Sequence, residues 1–190
     1  MLGDTLATTA AERDCLAALR RATGSRDGPM EGHGLRVFLL MERLAAEHRV
    51  RLDREVAFCA SVLHDVGLYP CAAHGAPYVV DSRRYAEEVL ADATWSLPRL
   101  RGCLDAIEYH HDLRPQWRRG PETELLRRAD LIDVSGGLVR LGVPRAAIRD
   151  VFRRVPRVGW YRELARLVGR ALRERPLSLP RIFLRLETRG

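Results

Sequence analysis

The chain has 190 residues, of which 46% are hydrophobic and 6% aromatic, and its 32 basic and 25 acidic residues give a formal net charge of +7. This length suits a single domain with its own core, and the scarcity of strand-favouring aromatic residues favours helices. Every basic residue is arginine, which excludes Walker-type phosphate loops, protein kinases and Schiff-base enzymes, because each of these needs a lysine.

Helical spacing of apolar residues recurs along the chain, with short breaks between the segments. The first predicted helix covers residues 11–22, and the second starts at Met30. Asp53 is placed to cap a third, strongly apolar helix, and the glycines and prolines of residues 67–80 predict a loop after it.

In the second half of the chain, Ser82 is a predicted N-cap for a helix over residues 83–92. Further helices are predicted over about 97–110, 122–134, 144–154 and 161–173. The proline-rich tail after them has no clear pattern. The chain is thus predicted to be all-α, one domain of about seven to nine helices. Its predicted parts are an N-terminal helix and loop (1–27), a core (28–135) and a C-terminal helical extension packed on the same domain (136–190).

The distribution of charge indicates which partners the protein binds, and the cysteines indicate its cellular location. The arginines alternate with acids along the whole chain, which is typical of a solvated surface, so we expect a small-molecule substrate and no nucleic-acid partner. The four cysteines form no C-x-x-C pair. The first residues, MLGDTLATTAAERD, carry acids and lack the apolar core of a signal peptide, and no uncharged apolar stretch approaches the length of a bilayer span. A reduced, cytoplasmic protein without a membrane segment is predicted, and assembly of identical chains is left open.

Ionisable residues interrupt the apolar pattern at a few helix ends. His64 and Asp65 end a helix that is hydrophobic on nearly every side, where burial of both costs free energy unless they are paired or bind a metal. His33 opens the preceding helix. If these sequential helices are antiparallel neighbours, the start of one lies near the end of the other, which brings His33 to His64 and Asp65.

The same pattern recurs twice downstream. His110 and His111 end an amphipathic helix, and Asp130 and Asp133, three residues apart, share one helix face. Imidazole nitrogens combined with carboxylate oxygens suit zinc, iron, manganese or cobalt. The residues therefore predict a site for a divalent metal, with Asp130 or Asp133 as its downstream ligand.

The strings GHGLRV, LHDVG, HH and ADLID follow one another in this order at predicted helix ends. This order resembles the HD superfamily of metal-dependent phosphohydrolases over roughly residues 28–135. The resemblance implies a metal-binding helical core and hydrolysis of a small phosphate ester or nucleotide by metal-activated water. It also implies that the metal ligands are His33, His64, Asp65 and Asp130. The extra histidine of two-metal members is missing after the HD pair, so a single divalent ion is expected.

Three segments, SRRYAEEVL, AIEYHHDL and VFRRVPRVGWYRELA, are similar to fungal cyanamide hydratases, which are HD proteins that add water to a nitrile. In that family the downstream aspartate aligns with Asp133, so this residue is kept as the alternative ligand or as a support behind the ligands, together with His111. A hydratase-like lyase is therefore an alternative function, and a non-catalytic HD module that binds a ligand is another.

Catalytic roles are predicted for Asp65, His110 and Arg36. His110 is expected to lie in the cleft and to move a proton. Arg36, one turn after His33, is expected either to clamp an anionic substrate or to pair with an acid. His111 is expected to point away from the site, because adjacent residues on a helix point about 100° apart.

Overall fold

The computed structural model describes residues 2–174, and every regular element within this range is helical. This architecture confirms the predicted fold class. Two 3₁₀ turns, Val66–Leu68 and Trp117–Arg119, interrupt the loops. The nine α-helices of the described residues are α1 (Leu2–Leu6), α2 (Ala10–Thr23), α3 (Pro29–His48), α4 (Arg54–Leu63), α5 (Tyr78–Val89), α6 (Leu97–Tyr109), α7 (Pro121–Val134), α8 (Arg145–Arg154) and α9 (Trp160–Glu174).

Helix α3 lies at the centre of the bundle and packs against α4, α7, α8 and α9. Its residues from 33 to 41 are all buried, so it has no solvent-facing side over two turns. Pro29 occupies its first turn, where a missing N–H costs no helical hydrogen bond. Phe38 of α3 and Phe58 of α4 pack edge to face with ring centroids 5.2 Å apart. This contact holds the two helices whose ends form the site.

The predicted N-cap of α4 is confirmed, because the Asp53 side chain accepts a hydrogen bond from the Val56 N–H at 3.2 Å. The predicted N-cap at Ser82 is wrong. Helix α5 begins at Tyr78, and Ser82 lies buried within it, where its hydroxyl accepts a hydrogen bond from the Gly67 N–H at 2.8 Å. The serine serves a distant backbone group instead of its own helix end, and the predicted loop is correspondingly shorter.

Gly67 lies where the chain after α4 meets the start of α5. A β-carbon at this position would overlap the Tyr78 carbonyl oxygen and lie 2.7 Å from the Ser82 amide nitrogen. Both are backbone atoms that cannot rotate away, so Gly67→Ala is expected to lower the free energy of unfolding by about 1–3 kcal/mol. Urea denaturation measures this loss.

Gly102 is the matched control, since it lies inside α6 and an added β-carbon there meets no atom of the described residues within 4 Å. Gly102→Ala is expected to raise stability by about 0.5–1 kcal/mol through helix propensity alone. Equal effects of the two substitutions would contradict the close backbone approach at Gly67.

The two ends of the chain add helices to the same bundle. The predicted N-terminal helix corresponds to α2, and the short α1 precedes it. Helices α8 and α9 both pack on α3. The proline-rich tail considered in the sequence lies outside the described residues. Among these residues no helix combines the length and the apolar character needed to cross a bilayer.

Candidate functional site

Four side chains from α3, α7 and the end of α4 converge in the interior. The Nε2 atom of His33 lies 3.1 Å from Nε2 of His64, 3.3 Å from Oδ1 of Asp130 and 3.6 Å from Oδ2 of Asp65. Nε2 of His64 lies 3.4 Å from the same Asp65 oxygen and 3.8 Å from the same Asp130 oxygen. The structure thus brings together all four residues that the sequence selects as metal ligands.

These separations are those expected of atoms that share one cation. Two ligand atoms bonded to the same ion at ~2.0–2.2 Å, with bond angles of ~90–110°, lie about 2.8–3.6 Å apart. Four of the five distances among the four donors, from 3.1 to 3.6 Å, fall in this range, and the fifth, between His64 and Asp130, is slightly longer at 3.8 Å. The donor atoms are therefore spaced like the edges of a coordination polyhedron.

Hydrogen bonds behind the histidines aim their free nitrogens into this space. Nδ1 of His64 donates to the Ser61 carbonyl oxygen at 2.7 Å, and Nδ1 of His110 donates to the Ile107 carbonyl oxygen at 2.6 Å. A carbonyl oxygen can only accept, so the proton of each neutral ring is on Nδ1 and the lone pair is on Nε2. This second layer of hydrogen bonds is typical of histidines that bind a metal.

Asp133 supports His33 from behind. Its Oδ2 atom accepts a hydrogen bond from Nδ1 of His33 at 2.7 Å, which directs the Nε2 lone pair of His33 towards His64. Arg36 grips the same carboxylate with two hydrogen bonds, from Nε to Oδ1 at 2.6 Å and from a terminal nitrogen to Oδ2 at 2.9 Å. Both oxygens of Asp133 are therefore engaged away from the converging donors.

Two roles were predicted for Arg36, clamping an anionic substrate or pairing with an acid. In the structure it pairs with an acid, Asp133. The side chain of Arg36 is fully buried and also donates to the Pro156 carbonyl oxygen at 3.3 Å. A guanidinium in this position is held by Asp133 and does not face solvent, from which a substrate arrives. The role as an anion clamp has no geometric support.

His110 lies beside the other oxygen of Asp65. Nε2 of His110 lies 3.5 Å from Oδ1 of Asp65, and both atoms are buried without a proper hydrogen bond within the described residues. While the ring is neutral, with its proton on Nδ1, both facing atoms are acceptors. Two acceptors facing each other in the interior repel unless a cation lies near them. Burial lowers the pKa of His110, but its contact with Asp65 outweighs burial and raises the pKa, so either a proton or a metal ion fits between the two atoms.

His111 was expected to point away from the site, and it does not. It turns towards the cluster, with Nδ1 3.8 Å from Oδ2 of Asp130 and with Nε2 hydrogen-bonded to the Tyr78 hydroxyl. Helix α6 ends at Tyr109, and His110 and His111 follow it as the C-cap and a turn, so an expectation based on a continuing helix does not decide where His111 points. Tyr78 was not selected from the sequence, since its position was assigned to a loop.

Burial and neighbouring charges shift the pKa values of most of these groups in opposite directions. Burial lowers the pKa of His33, but hydrogen bonds with Asp130, Asp133 and Asp65 outweigh it and raise the pKa well above its usual value. Burial likewise raises the pKa of Asp130, yet contacts with His33 and His64 bring it well below the usual range. Burial and the nearby His110 lower the pKa of His111 to about 4. The carboxylates are thus ionised and stabilise positive charge between them.

Three overlapping groups of donors within the described residues have the spacing of metal ligands. The groups are His33–His64–Asp130, His64–Asp65–His110 and His110–His111–Asp130. Nitrogen and carboxylate donors of this kind fit zinc, iron, manganese or cobalt. Because the groups share residues, they leave the kind and number of ions open, and the single divalent ion stays a prediction.

Comparison with known proteins agrees with the fold and with this geometry. The HD domain family profile matches residues 30–135, which is more than half of the chain and includes all four converging side chains. A search of curated proteins finds no match, and nothing in the comparisons supports the narrower likeness to cyanamide hydratases. The extent of the family match and the buried His–Asp cluster lead to one conclusion: the chain belongs to the HD domain family.

Proposed function

We propose that the chain is a metal-dependent phosphohydrolase that acts on a small phosphate ester or nucleotide. The observation that carries this proposal is the convergence of His33, His64, Asp65 and Asp130 at distances that suit one ion. Membership of the HD domain family supports it. A divalent ion held there would lower the pKa of a coordinated water to about 7 and polarise a phosphoryl oxygen.

The residues around the ligands determine where a substrate approaches. All four residues are buried, and Asp65 and Asp130, at 6% and 4% exposure, are the least completely buried, so we assign the approach of the substrate to the side of the two carboxylates. His110 has its Nε2 atom free beside Asp65 and its Nδ1–H fixed on a carbonyl oxygen. We therefore assign His110 the role of accepting and returning a proton at Nε2.

Tyr78 and His111 form a pair beside Asp130. Burial, together with the charges of Asp65 and Asp130, raises the pKa of Tyr78 well above its usual value, so its hydroxyl stays protonated and donates to Nε2 of His111. His111 is then neutral with its proton on Nδ1, which faces Asp130. In this role the pair orients the Asp130 carboxylate and carries no charge of its own.

A hydratase-like lyase that adds water to a small nitrile is the second candidate, and one observation favours it. The arginine nearest to the cluster along the chain, Arg36, is engaged with Asp133. Two further arginines, Arg83 and Arg84, also have acid partners, Glu108 and Glu88 respectively. A site with few available guanidinium groups suits a neutral substrate better than a dianionic phosphate.

Elemental analysis of the purified protein, followed by a substrate screen, tests both functions. We expect stoichiometric transition metal, and turnover of phosphate esters or nucleotides that stops on chelation and returns when metal is added back. Cyanamide serves as the comparison substrate. Turnover of cyanamide with none of the phosphate compounds would select the lyase. A wild-type protein without bound transition metal would overturn both enzymatic functions and leave a non-catalytic module.

A further inference from the structure

A residue outside the matched family segment lies directly against a predicted metal ligand. The indole of Trp160, the first residue of α9, stacks on the imidazole of His33 with ring centroids 4.0 Å apart and planes 11° from parallel. Trp160 is fully buried. The HD domain profile ends at residue 135, so the C-terminal extension supplies this contact.

The chain before Trp160 contacts the same unit from two further directions. The Pro156 carbonyl oxygen accepts a hydrogen bond from Arg36 at 3.3 Å, and Arg157 donates to the Asp133 carbonyl oxygen at 3.2 Å. The guanidinium of Arg36 also lies 5.9 Å from the centroid of the Trp160 ring. The segment from 156 to 160 therefore packs over the His33–Asp133–Arg36 unit.

The geometry of the stack has a specific consequence for His33. Its two ring nitrogens serve different partners in the plane of the imidazole, Nδ1 facing Asp133 and Nε2 facing His64 and Asp130. Rotation of the imidazole about its Cβ–Cγ bond would move both nitrogens out of that plane and break both sets of contacts. A flat ring stacked nearly parallel blocks this rotation, whereas a flexible, unbranched side chain such as methionine does not.

We propose that Trp160 is a positioning residue of the metal centre, which holds the imidazole plane of His33 so that Nε2 faces the ion. This inference rests on the part of the proposed function that places an ion between the four donors, and it is independent of the substrate. Residues behind metal-binding histidines typically alter metal affinity about 10–100-fold when they are changed. A comparable effect is expected here, through a ring contact instead of a hydrogen bond.

Two substitutions separate the flat ring from the filled volume. Trp160→Met is expected to weaken zinc affinity about 10–100-fold in a chelator competition and to change the visible absorption spectrum of the cobalt-substituted protein. Trp160→Phe retains a flat ring and should restore affinity and spectrum close to those of the wild type. The indole N–H has no hydrogen-bond partner within the described residues, so the phenylalanine loses none.

Trp95→Leu is the matched control for general loss of packing. Trp95 packs against the core at another place, where its indole N–H donates to Glu55 and Arg99 lies over its ring. Its loss should lower the free energy of unfolding and leave zinc affinity unchanged. Wild-type affinity and spectrum in Trp160→Met, or equal losses in Trp160→Met and Trp160→Phe, would overturn the inference and leave the proposed function standing.

A measurement on the wild-type protein covers the case in which Trp160→Met does not fold. Ion binding and α9 docking must stabilise each other if they are coupled through His33. Zinc should therefore slow hydrogen exchange of the amides in the first half of α9 relative to the chelated protein. Unchanged exchange there, with zinc bound, would overturn the inference; failure of the wild type to bind zinc would overturn the proposed function as well.

Discussion

Asp65→Ala is expected to abolish both metal binding and turnover. One oxygen of Asp65 lies 3.4 and 3.6 Å from the free nitrogens of His64 and His33, and the other faces His110 at 3.5 Å. The Asp65 carboxylate therefore contacts His33 and His64 through one oxygen and His110 through the other, and its removal leaves Asp130 as the one carboxylate that faces His33 Nε2 among the four converging side chains. The loss in activity should exceed the roughly 100-fold that changes behind the ligands produce. Elemental analysis and steady-state kinetics of the variant measure it.

Asp150→Ala provides the control for removal of an acid. Asp150 lies on α8 at the surface, where it pairs with Arg153, and exposed pairs of this kind contribute little to stability. This variant should retain its metal and its activity. An Asp65→Ala protein that kept stoichiometric metal and normal turnover would show that the assigned ligands are wrong.

Asp133→Ala is expected to produce the largest loss of stability. Removal of the carboxylate leaves the guanidinium of Arg36 buried without its charge partner, which typically costs about 3–5 kcal/mol. Although burial raises the pKa of Asp133, its hydrogen bonds to His33 and Arg36 outweigh that effect and lower the pKa, so the carboxylate is ionised at neutral pH. Denaturation in excess chelator isolates this effect from metal binding.

The double variant Arg36→Met/Asp133→Leu distinguishes charge pairing from metal support. It removes both charges together, so it should regain much of the stability lost in Asp133→Ala. It still leaves Nδ1 of His33 without its acceptor, so its metal affinity should stay low. A double variant that is no more stable than Asp133→Ala would contradict the account of an uncompensated buried guanidinium.

Much of the fold and of the donor set could be predicted from the sequence. Apolar residues at helical spacing indicate the helices, and the ends of apolar runs at His33 and at His64 indicate where polar groups enter the core. The spacing of apolar residues is a local property, since it depends on residues close together in the chain. If two consecutive helices such as α3 and α4 are antiparallel, the start of the first lies near the end of the second, so the meeting of His33 with His64 could also be predicted.

Only the tertiary structure determined which way individual side chains face. Asp130 and Asp133 share one face of α7, and it is the packing of α7 on α3 that turns Asp130 to the cluster and Asp133 to Arg36. The end of α6 likewise turns His111 inward.

The same applies to residues that meet across long stretches of chain. Trp160 reaches His33 because α9 docks on α3, and Ser82 bonds to the backbone of Gly67 because α5 starts earlier than its sequence pattern indicates. The physical reason is that a side chain's direction depends on the rotation of its helix against distant neighbours. That rotation is set by the packing of the whole core, and the pattern of residues within one helix does not determine it.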